Sequence, residues 1–415
     1  MQRRKDAPAV RALGSTLLAI AAAELGARLL APRQDVPEPA PAQVDLRSYF
    51  SEQEIERGAR FARGQLGLGL ARSALGLGTL LLLVRRPPPV RWGRETGSIA
   101  GGAAAGAGLT VALGAVALPL SALARHRARA VGLVTQSWSG WGVDVVKATG
   151  IEAVLAAAAG AGVLGAAGRH PRGWWAPVAV GSVIATALLG ALAPLILDPV
   201  WGDFTPLAEG QTRSDVLELA RGAGVDVGEV YSVDASRRGT AANAYVTGLG
   251  PSQRIVLHDT LLDRYGRDEI RVVVAHELAH VRHRDVPRSV LYAAIVAPAG
   301  ALAVQRLSWA LSPARGTPEA LPGLALCAAL VAAPIGLVGN RLSRALERRA
   351  DAYSLALSGA PDAFVSFERA IALQNVADLD PPRWVSSLLA THPSTGARIG
   401  AALEYKTRRA EPAPY

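Results

Sequence analysis

Long apolar stretches alternate with shorter polar ones along this chain, and their lengths predict a protein embedded in a membrane. About 20 apolar residues are enough for an α-helix to cross the hydrocarbon core of a bilayer. Seven stretches approach that length, at about residues 11–31, 65–84, 99–123, 151–168, 175–197, 289–311 and 321–339. Small residues within them, such as Gly64, Gly67 and Gly69, favour helices that pack closely. The pattern therefore predicts a bundle of seven membrane helices.

Two polar stretches, at about 198–288 and 340–415, are candidates for parts outside the membrane. In the first, a helix is predicted over 214–223 with Ser214 as its N-cap, and another over 268–283. The alternation of residues predicts strands over 229–233, 243–246 and 254–257, the last two joined by a turn at Gly248-Leu249-Gly250-Pro251. The second polar stretch is predicted to open with a helix over 342–358.

The composition supports a membrane location and narrows the chemistry. Half of the residues are hydrophobic and only 19% are charged. The single cysteine, Cys327, excludes an intramolecular disulfide framework and a multi-cysteine metal site. The net charge of +10 is carried almost entirely by arginine. Because no aromatic and basic binding module accompanies it, we interpret this charge as basic loops beside an anionic bilayer, and we expect no nucleic-acid partner.

One short motif, His276-Glu277-Leu278-Ala279-His280, carries the candidate chemistry. Two histidines four residues apart lie one turn apart on a helix, so both imidazoles reach the same metal ion. The glutamate between them is then placed to hold a metal-bound water. No helix breaker occurs in the preceding residues 271–275, which supports the helical interpretation.

A third protein ligand is required, because a catalytic zinc keeps three protein ligands and a water. Glu347 is the strongest candidate, since Glu347 and Asp351 are again four residues apart on one helix face. One carboxylate can bind the metal, and the other can accept the free N–H of a metal-bound histidine. The same spacing also fits an exposed helix face whose carboxylates pair with neighbouring arginines.

These features predict a mainly α protein: a multi-span membrane helix bundle of about seven helices with a zincin-like α+β catalytic domain that carries a small sheet. The expected organisation has four parts. They are an N-terminal membrane domain of about five helices (1–197), a catalytic segment with the motif helix (198–288), a transmembrane hairpin (289–339) and a C-terminal catalytic segment with the third ligand (340–415).

The chain resembles the type I CAAX prenyl protease family over about residues 100–400. The resemblance is carried by Asn243-Ala244-Tyr245, by residues 255–261, by the motif at 276–280, by Glu347 with Asp351, and by Thr391-His392-Pro393. Members of that family are integral-membrane zinc endopeptidases. The resemblance therefore implies one zinc ion per chain and the hydrolysis of peptide bonds.

The resemblance also implies roles for individual positions. His276, His280 and Glu347 would ligate zinc, Glu277 would be the general base, and Asp351 would be a supporting acid. It also implies that Asn243 holds the backbone of the substrate and that His392 and Arg398 line the cleft. One departure is Ala279, where many relatives carry glycine. We expect its extra methyl group to narrow the cleft slightly without abolishing activity.

The function predicted from these residues is a membrane-embedded zinc metalloendopeptidase that acts on membrane-associated peptides or proteins. The resemblance implies prenylated CAAX-type C-termini as substrates. Two alternatives stay open. A quality-control protease for misfolded membrane proteins fits the Arg- and Ala-rich composition, which is typical of a GC-rich bacterial genome where prenylated substrates are not expected to be common. A non-enzymatic transporter or scaffold is favoured by the intramembrane charges Glu24, Arg28 and Arg72.

The predicted location is a multi-pass position in a bacterial cell membrane, with the lipid bilayer as a partner and the active site facing the cytoplasm. Basic residues flank both sides of the predicted spans, for example Arg3 to Lys5 and the arginines at 125, 127 and 129. The count of positive charges therefore does not choose an orientation.

Overall fold

The computed structural model describes residues 7–33, 38–39, 41–87, 98–196, 198–248, 253–311 and 315–410. Helices dominate these residues, and the strands form a single small sheet. In chain order the helices are α1 (Ala7–Leu29), α2 (Glu52–Arg85), α3 (Ile99–Ala130), α4 (Trp138–Arg169), α5 (Trp175–Ile196), α6 (Asp198–Trp201), α7 (Gln211–Ala223), α8 (Asp259–Arg264), α9 (Arg267–Arg282), α10 (Asp285–Leu311), α11 (Leu321–Ser358), α12 (Pro361–Gln374) and α13 (Thr395–Ala410). The strands are β1 (Phe204–Pro206), β2 (Glu229–Val233), β3 (Ala244–Thr247) and β4 (Arg254–His258).

Seven of the described helices are long and apolar enough to cross a membrane: α1, α2, α3, α4, α5, α10 and α11. Large apolar side chains remain exposed on their outer faces, as at Leu13, Val146 and Ile184, which are 63%, 73% and 53% exposed. Such surface is costly in water but suits contact with lipid. The predicted membrane bundle and the mainly α fold class with a small sheet are confirmed.

Several helices extend beyond the apolar stretches that marked them in the sequence. Helix α2 begins at residue 52 rather than 65, because Ser51 and Glu54 form a capping box at its start. Helix α4 begins at Trp138 after the N-cap Ser137, 13 residues before the predicted span. Helix α11 runs unbroken for 38 residues through the predicted boundary at 339, until Gly359 ends it with a φ of 63°. The apolar pattern marks the bilayer, whereas the caps mark the helix ends.

Close backbone contact between α3 and α4 is made by glycines that were not singled out in the sequence. A Cβ atom on Gly102 of α3 would lie 2.5 Å from the carbonyl oxygen of Gly160 of α4, and one on Gly160 would lie 2.3 Å from the oxygen of Gly102. These two backbones therefore touch only because neither residue has a side chain. Of the three glycines singled out in the sequence, Gly67 and Gly69 have open space where a Cβ would be, whereas a Cβ on Gly64 would clash with the guanidinium of Arg127 of α3.

The sheet has the strand order β1-β2-β4-β3. Strands β2 and β4 are parallel, and the β1–β2 and β3–β4 pairs are antiparallel. The three predicted strands are confirmed to within a residue or two, but the three-residue β1 was not predicted. The predicted helix at 214–223 begins earlier, at Gln211 after Gly210. In the predicted turn between β3 and β4, residues 249–251 lie outside the described residues.

One side of the sheet packs against α7 and α9 and forms the main core. Its buried members include Val230, Ile255 and Leu257 of the strands, with Val274 and Leu278 of α9. The far end of α11 then lies along α9, and the hydroxyl of its Ser354 donates to the carbonyl oxygen of Val272 at 2.7 Å. The sheet and α11 thus hold α9 between them.

Helix α1 is tied to α11 by one ionic cluster. Glu24 accepts from Arg28, four residues further along its own helix, at 2.7 Å, and from Arg341 of α11, also at 2.7 Å. The intramembrane charge at Glu24 therefore joins two helices. This contact gives it a structural role in the bundle.

Candidate metal centre and active site

Helices α9 and α11 cross so that their i,i+4 faces meet. His276 and His280 project from α9, and Glu347 and Asp351 project from α11. His276 and Glu347 are each 9% exposed and Asp351 is 3% exposed. Of the two interpretations of the Glu347–Asp351 pair, the exposed helix face is wrong, since both carboxylates turn toward the histidines.

The nitrogen and oxygen atoms of three side chains converge on one point. His276 Nε2 lies 3.2 Å from His280 Nε2 and 3.2 Å from Glu347 Oε2, and His280 Nε2 lies 3.7 Å from Glu347 Oε1. Ligand atoms about 2.0–2.1 Å from a tetrahedral zinc are roughly 3.3 Å apart. Among the described residues these three form the group that could hold a metal ion, with all ligand atoms within 4.8 Å of one another.

The electrostatics of this pocket favour a positive charge. Burial acts to lower the pKa of His276, but the adjacent carboxylates of Asp351 and Glu347 outweigh it and raise the pKa to about 10. The carboxylates around this buried imidazole therefore favour a positive charge at this point of the site. The two histidines and one carboxylate are also a donor set that zinc accepts.

Each histidine is backed by a carboxylate on its other ring nitrogen. His276 Nδ1 lies 2.9 Å from Asp351 Oδ1, and His280 Nδ1 lies 2.9 Å from Asp285 Oδ2. Such partners orient a ligating imidazole and fix which nitrogen faces the metal. Asp285 was not identified from the sequence. It reaches His280 because Arg284 adopts a φ of 55° and turns the chain sharply between α9 and α10.

The carboxylate partners are themselves held in place. Asp285 accepts from Arg288 at 3.0 Å and also from Arg349, which lies two residues beyond Glu347. Asp351 is held by Arg398 of α13. The two histidines and Glu347 are therefore surrounded by a fixed shell of paired charges, which limits their movement.

Glu277 faces the same cluster from α9. Its carboxyl group is half-buried and interacts electrostatically with His276, His280 and Glu347. Burial raises the pKa of Glu277, and this brings a carboxylate closer to the range in which a general base works efficiently at neutral pH.

The structure also brings His392 to the site, whereas Arg398 reaches it indirectly. His392 Nε2 lies 3.4 Å from Glu347 Oε2, its side chain is 60% exposed, and burial lowers the pKa of its imidazole. Arg398 touches Asp351 and Glu368. Glu368 is 2% exposed and was not identified from the sequence.

Asn243 lies immediately before β3, at the edge of the sheet. Its carbonyl oxygen accepts from the backbone N–H of His258 at 3.0 Å, and its side chain is exposed. Helix α9 packs beside β3, so the open edge of this strand and the metal ligands share one neighbourhood. The substrate-binding roles of Asn243, His392 and Arg398 stay predictions.

Comparisons with known proteins agree with this geometry. The model of peptidase family M48 matches residues 206–406. The chain is 32% identical to the uncharacterised metalloprotease YhfN of Bacillus subtilis over 56% of each protein. It is 30% identical to the CAAX prenyl protease 1 homologue of Arabidopsis thaliana over 52% of this chain and 53% of that one. The chain therefore spans about half the length of these relatives.

A shorter relative is covered more completely, and one solved structure shares the whole architecture. The chain is 32% identical to the protease HtpX homologue of Burkholderia thailandensis, over 46% of this chain and 72% of that protein. The crystal structure of Ste24p from S. mikatae matches with a TM-score of 0.74 at 19% identity, covering 96% of this chain and 98% of that one. The latter similarity establishes the fold.

Proposed function

Because the chain belongs to peptidase family M48, we propose that it is a membrane-embedded zinc metalloendopeptidase. Seven apolar helices and its membrane-protease relatives make it a multi-pass integral membrane protein. The observation that carries the proposal is the convergence of His276, His280 and Glu347 within 4.8 Å, with Glu277 facing them.

The residues of the site divide the chemical work. Zinc, when bound by the two histidines and Glu347, lowers the pKa of a water molecule and polarises a peptide carbonyl. Glu277 receives the proton of the attacking water and delivers it to the leaving amine. Asp351 Oδ1 lies 2.9 Å from Nδ1 of His276, and Asp285 accepts the Nδ1–H of His280, so both Nε2 atoms stay directed inward. This geometry favours Asp351 as an acceptor that orients a ligand over a role as proton donor.

The open edge of β3 offers a place for an extended substrate. Strand β3 pairs with β4 on one side only within the described sheet. A peptide that added to its free edge would gain main-chain hydrogen bonds with little demand on sequence. Asn243 precedes this edge, which supports its predicted role in holding the substrate backbone.

We propose substrates that are themselves associated with the membrane, with prenylated C-terminal peptides as the leading class. The support is the similarity to CAAX prenyl protease 1 homologues and the position of the metal ligands on, or next to, membrane helices. Glu347 is carried by a helix that continues into the membrane, and α10 starts five residues after His280. We also propose a bacterial cell membrane, with the site facing the cytoplasm; the similarity to the bacterial YhfN and HtpX relatives supports the bacterial membrane.

A transporter or scaffold function gains no support. The intramembrane Glu24, which favoured it, is paired with Arg28 and Arg341. A transporter or scaffold would also not require Glu277 as a general base beside the three metal ligands.

The proposal is tested with the purified full chain in lipid nanodiscs. Zinc content is measured by inductively coupled plasma mass spectrometry, and cleavage is followed by mass spectrometry on a farnesylated CAAX peptide and its unmodified counterpart. We expect one zinc per chain and at least tenfold faster cleavage of the farnesylated peptide. Cleavage of both peptides at equal rates would refute the prenylated substrate class, and a zinc-free protein that cleaves neither would refute the protease assignment.

A further inference from the structure

A cavity of about 480 Å³, separate from the metal site, lies among the ends of α4, α5, α10 and α11. Its lining includes Leu164, Arg172, Trp174, Arg306, Trp309 and Arg315. The metal site is far away: Leu324, which also lines the cavity, and Glu347 are 23 residues apart on α11, or roughly 35 Å along a helix. Since this is about the thickness of the hydrocarbon core, the cavity lies at the opposite face of the membrane.

Three arginines and two tryptophans give this cavity its character. The guanidinium of Arg306 lies over the ring of Trp309 at 5.4 Å, and that of Arg315 lies over the same ring at 5.3 Å. One indole thus holds two cations near each other. Within the described part of the chain, Arg306, Arg315 and Arg172 form no ion pair with a carboxylate. Two like charges held together without a counter-ion create a site for an anion.

The helix face beneath the cavity carries a further unpaired polar group. Gln305 and Ser308 lie one turn apart on α10, on the face that also presents Trp309 to the cavity. Gln305 is 0% exposed, and neither atom of its side-chain amide has a hydrogen-bond partner among the described residues. Buried amides are almost always paired, so this one is consistent with a polar occupant nearby.

We propose that this cavity binds the phosphate of an anionic lipid headgroup. Arginine guanidinium groups present paired N–H donors that match phosphate oxygens. Tryptophans beside the cavity are typical of the interface between headgroups and acyl chains. Apolar side chains, among them Leu164 and Leu324, complete the lining. A free phosphate ion offers the same oxygens, but the position at the ends of four membrane helices favours a lipid.

The test measures lipid binding to the full chain by native mass spectrometry from detergent micelles. Dioleoyl phosphatidylglycerol is the anionic probe, dioleoyl phosphatidylcholine is the zwitterionic probe, and inorganic phosphate is the soluble competitor. We expect one phosphatidylglycerol per chain with at least tenfold preference over phosphatidylcholine. The double variant Arg306→Gln with Arg315→Gln is expected to lose at least tenfold in affinity for phosphatidylglycerol.

A charge-matched control removes Arg221 and Arg264, two exposed arginines of the catalytic part, by substitution with glutamine, and it is expected to bind phosphatidylglycerol as the unmodified chain does. If the double variant does not fold, Arg306→Lys with Arg315→Lys keeps the charges, loses the paired donors and is expected to bind several-fold more weakly. Unchanged phosphatidylglycerol affinity in either cavity variant overturns the proposal, and so does equal loss in the control. Displacement of the lipid by millimolar inorganic phosphate would assign the site to free phosphate instead.

Discussion

The guanidinium of Arg398 donates two hydrogen bonds to the carboxylate of Asp351, from Nε to Oδ2 at 2.9 Å and from Nη2 to Oδ1 at 2.5 Å. Its remaining nitrogen, Nη1, lies 2.6 Å from Glu368 Oε1. Because Asp351 also contacts His276, the arginine reaches the proposed metal ligand through the carboxylate. Helices α11, α12 and α13 are thereby joined at one buried ionic cluster behind the metal site.

Arg398→Gln is expected to destabilise the protein, because it leaves Asp351 and Glu368 buried without their cation. Removing one partner of a buried ion pair costs about 3–5 kcal/mol, which should lower the midpoint of thermal unfolding in nanodiscs by several degrees. Burial already raises the pKa of Glu368 to about 7. The double variant with Glu368→Gln should therefore recover part of the loss, and a single variant as stable as the original chain would contradict the role of this cluster.

Glu277→Gln is expected to keep one zinc per chain and to lower the cleavage rate by at least about 100-fold, since the amide cannot take a proton from water. Peptide cleavage and zinc content are measured on the same preparation. The matched control is Asp268→Asn, an exposed carboxylate on the same helix, which should change neither quantity. A Glu277→Gln protein that cleaves at near-normal rate would remove the general-base assignment.

Glu347→Ala is expected to reduce zinc content from one ion per chain to less than about a tenth after dialysis, because two histidines alone hold the ion weakly. Metal analysis is the measurement. Glu319→Ala removes an exposed carboxylate near the other end of the same helix and should leave zinc content unchanged. Full zinc occupancy without Glu347 would point to a different third ligand.

Asp285→Asn is expected to weaken zinc binding by about 10–100-fold, because His280 loses the carboxylate that orients its ring. The affinity is measured by competition with a chromogenic chelator. Asp263→Asn, an exposed change on α8, serves as the control. Equal zinc affinity in the Asp285 variant and the original chain would show that Asp285 only anchors Arg288 and Arg349.

Asp215 gives a prediction about pH, away from the metal. Hydrogen bonds from Arg267, with a smaller contribution from Gln211, lower its pKa to about 2, although burial opposes them. A lowered pKa stabilises the fold above the ordinary value of about 3.8 and loses that effect as pH falls toward 2. Because Arg267 is 57% exposed, solvent screening reduces the effect to about 1 kcal/mol.

The measurement is the difference in unfolding midpoint between the original chain and Asp215→Asn across pH 2–7. The difference should be constant above about pH 5 and shrink below about pH 4. The exposed Asp226→Asn control should show no such difference. A difference in unfolding midpoint that was as large at pH 2 as at pH 7 would contradict the assignment of the stabilising charge to Asp215.

Local spacing explains why much of the metal site could be predicted from the sequence. His276 with His280, and Glu347 with Asp351, are each four residues apart, and helix geometry alone places each pair on one face. The meeting of the two helices required the resemblance to a known family. Asp285 and Glu368 were missed because their positions depend on tertiary geometry. Asp285 is placed by the left-handed backbone of Arg284. Glu368 is placed by the packing of α12 against α13.

Element boundaries were less predictable than the elements themselves. Polar residues such as Asn340, Arg341 and Arg344 predicted the end of a membrane span, and the helix continues through all three. The side chains of Asn340 and Arg344 donate to the backbone of the segment at 387–390, so their polarity serves packing outside the bilayer. Hydropathy therefore indicates which part of a helix lies in the bilayer, while hydrogen-bond donors along one face of the helix indicate where other parts of the protein pack against it.

The unbroken course of α11 has a practical consequence for anyone producing this enzyme. His276 and His280 precede the α10–α11 pair in the chain, and their carboxylate partner Glu347 lies in the last third of α11, the helix that crosses the lipid. Deleting the hydrophobic segment between the histidines and Glu347 would cut this helix, and Glu347 would no longer be held beside the histidines. We therefore expect inhibitor screening and crystallisation to require the whole chain kept in an amphiphile.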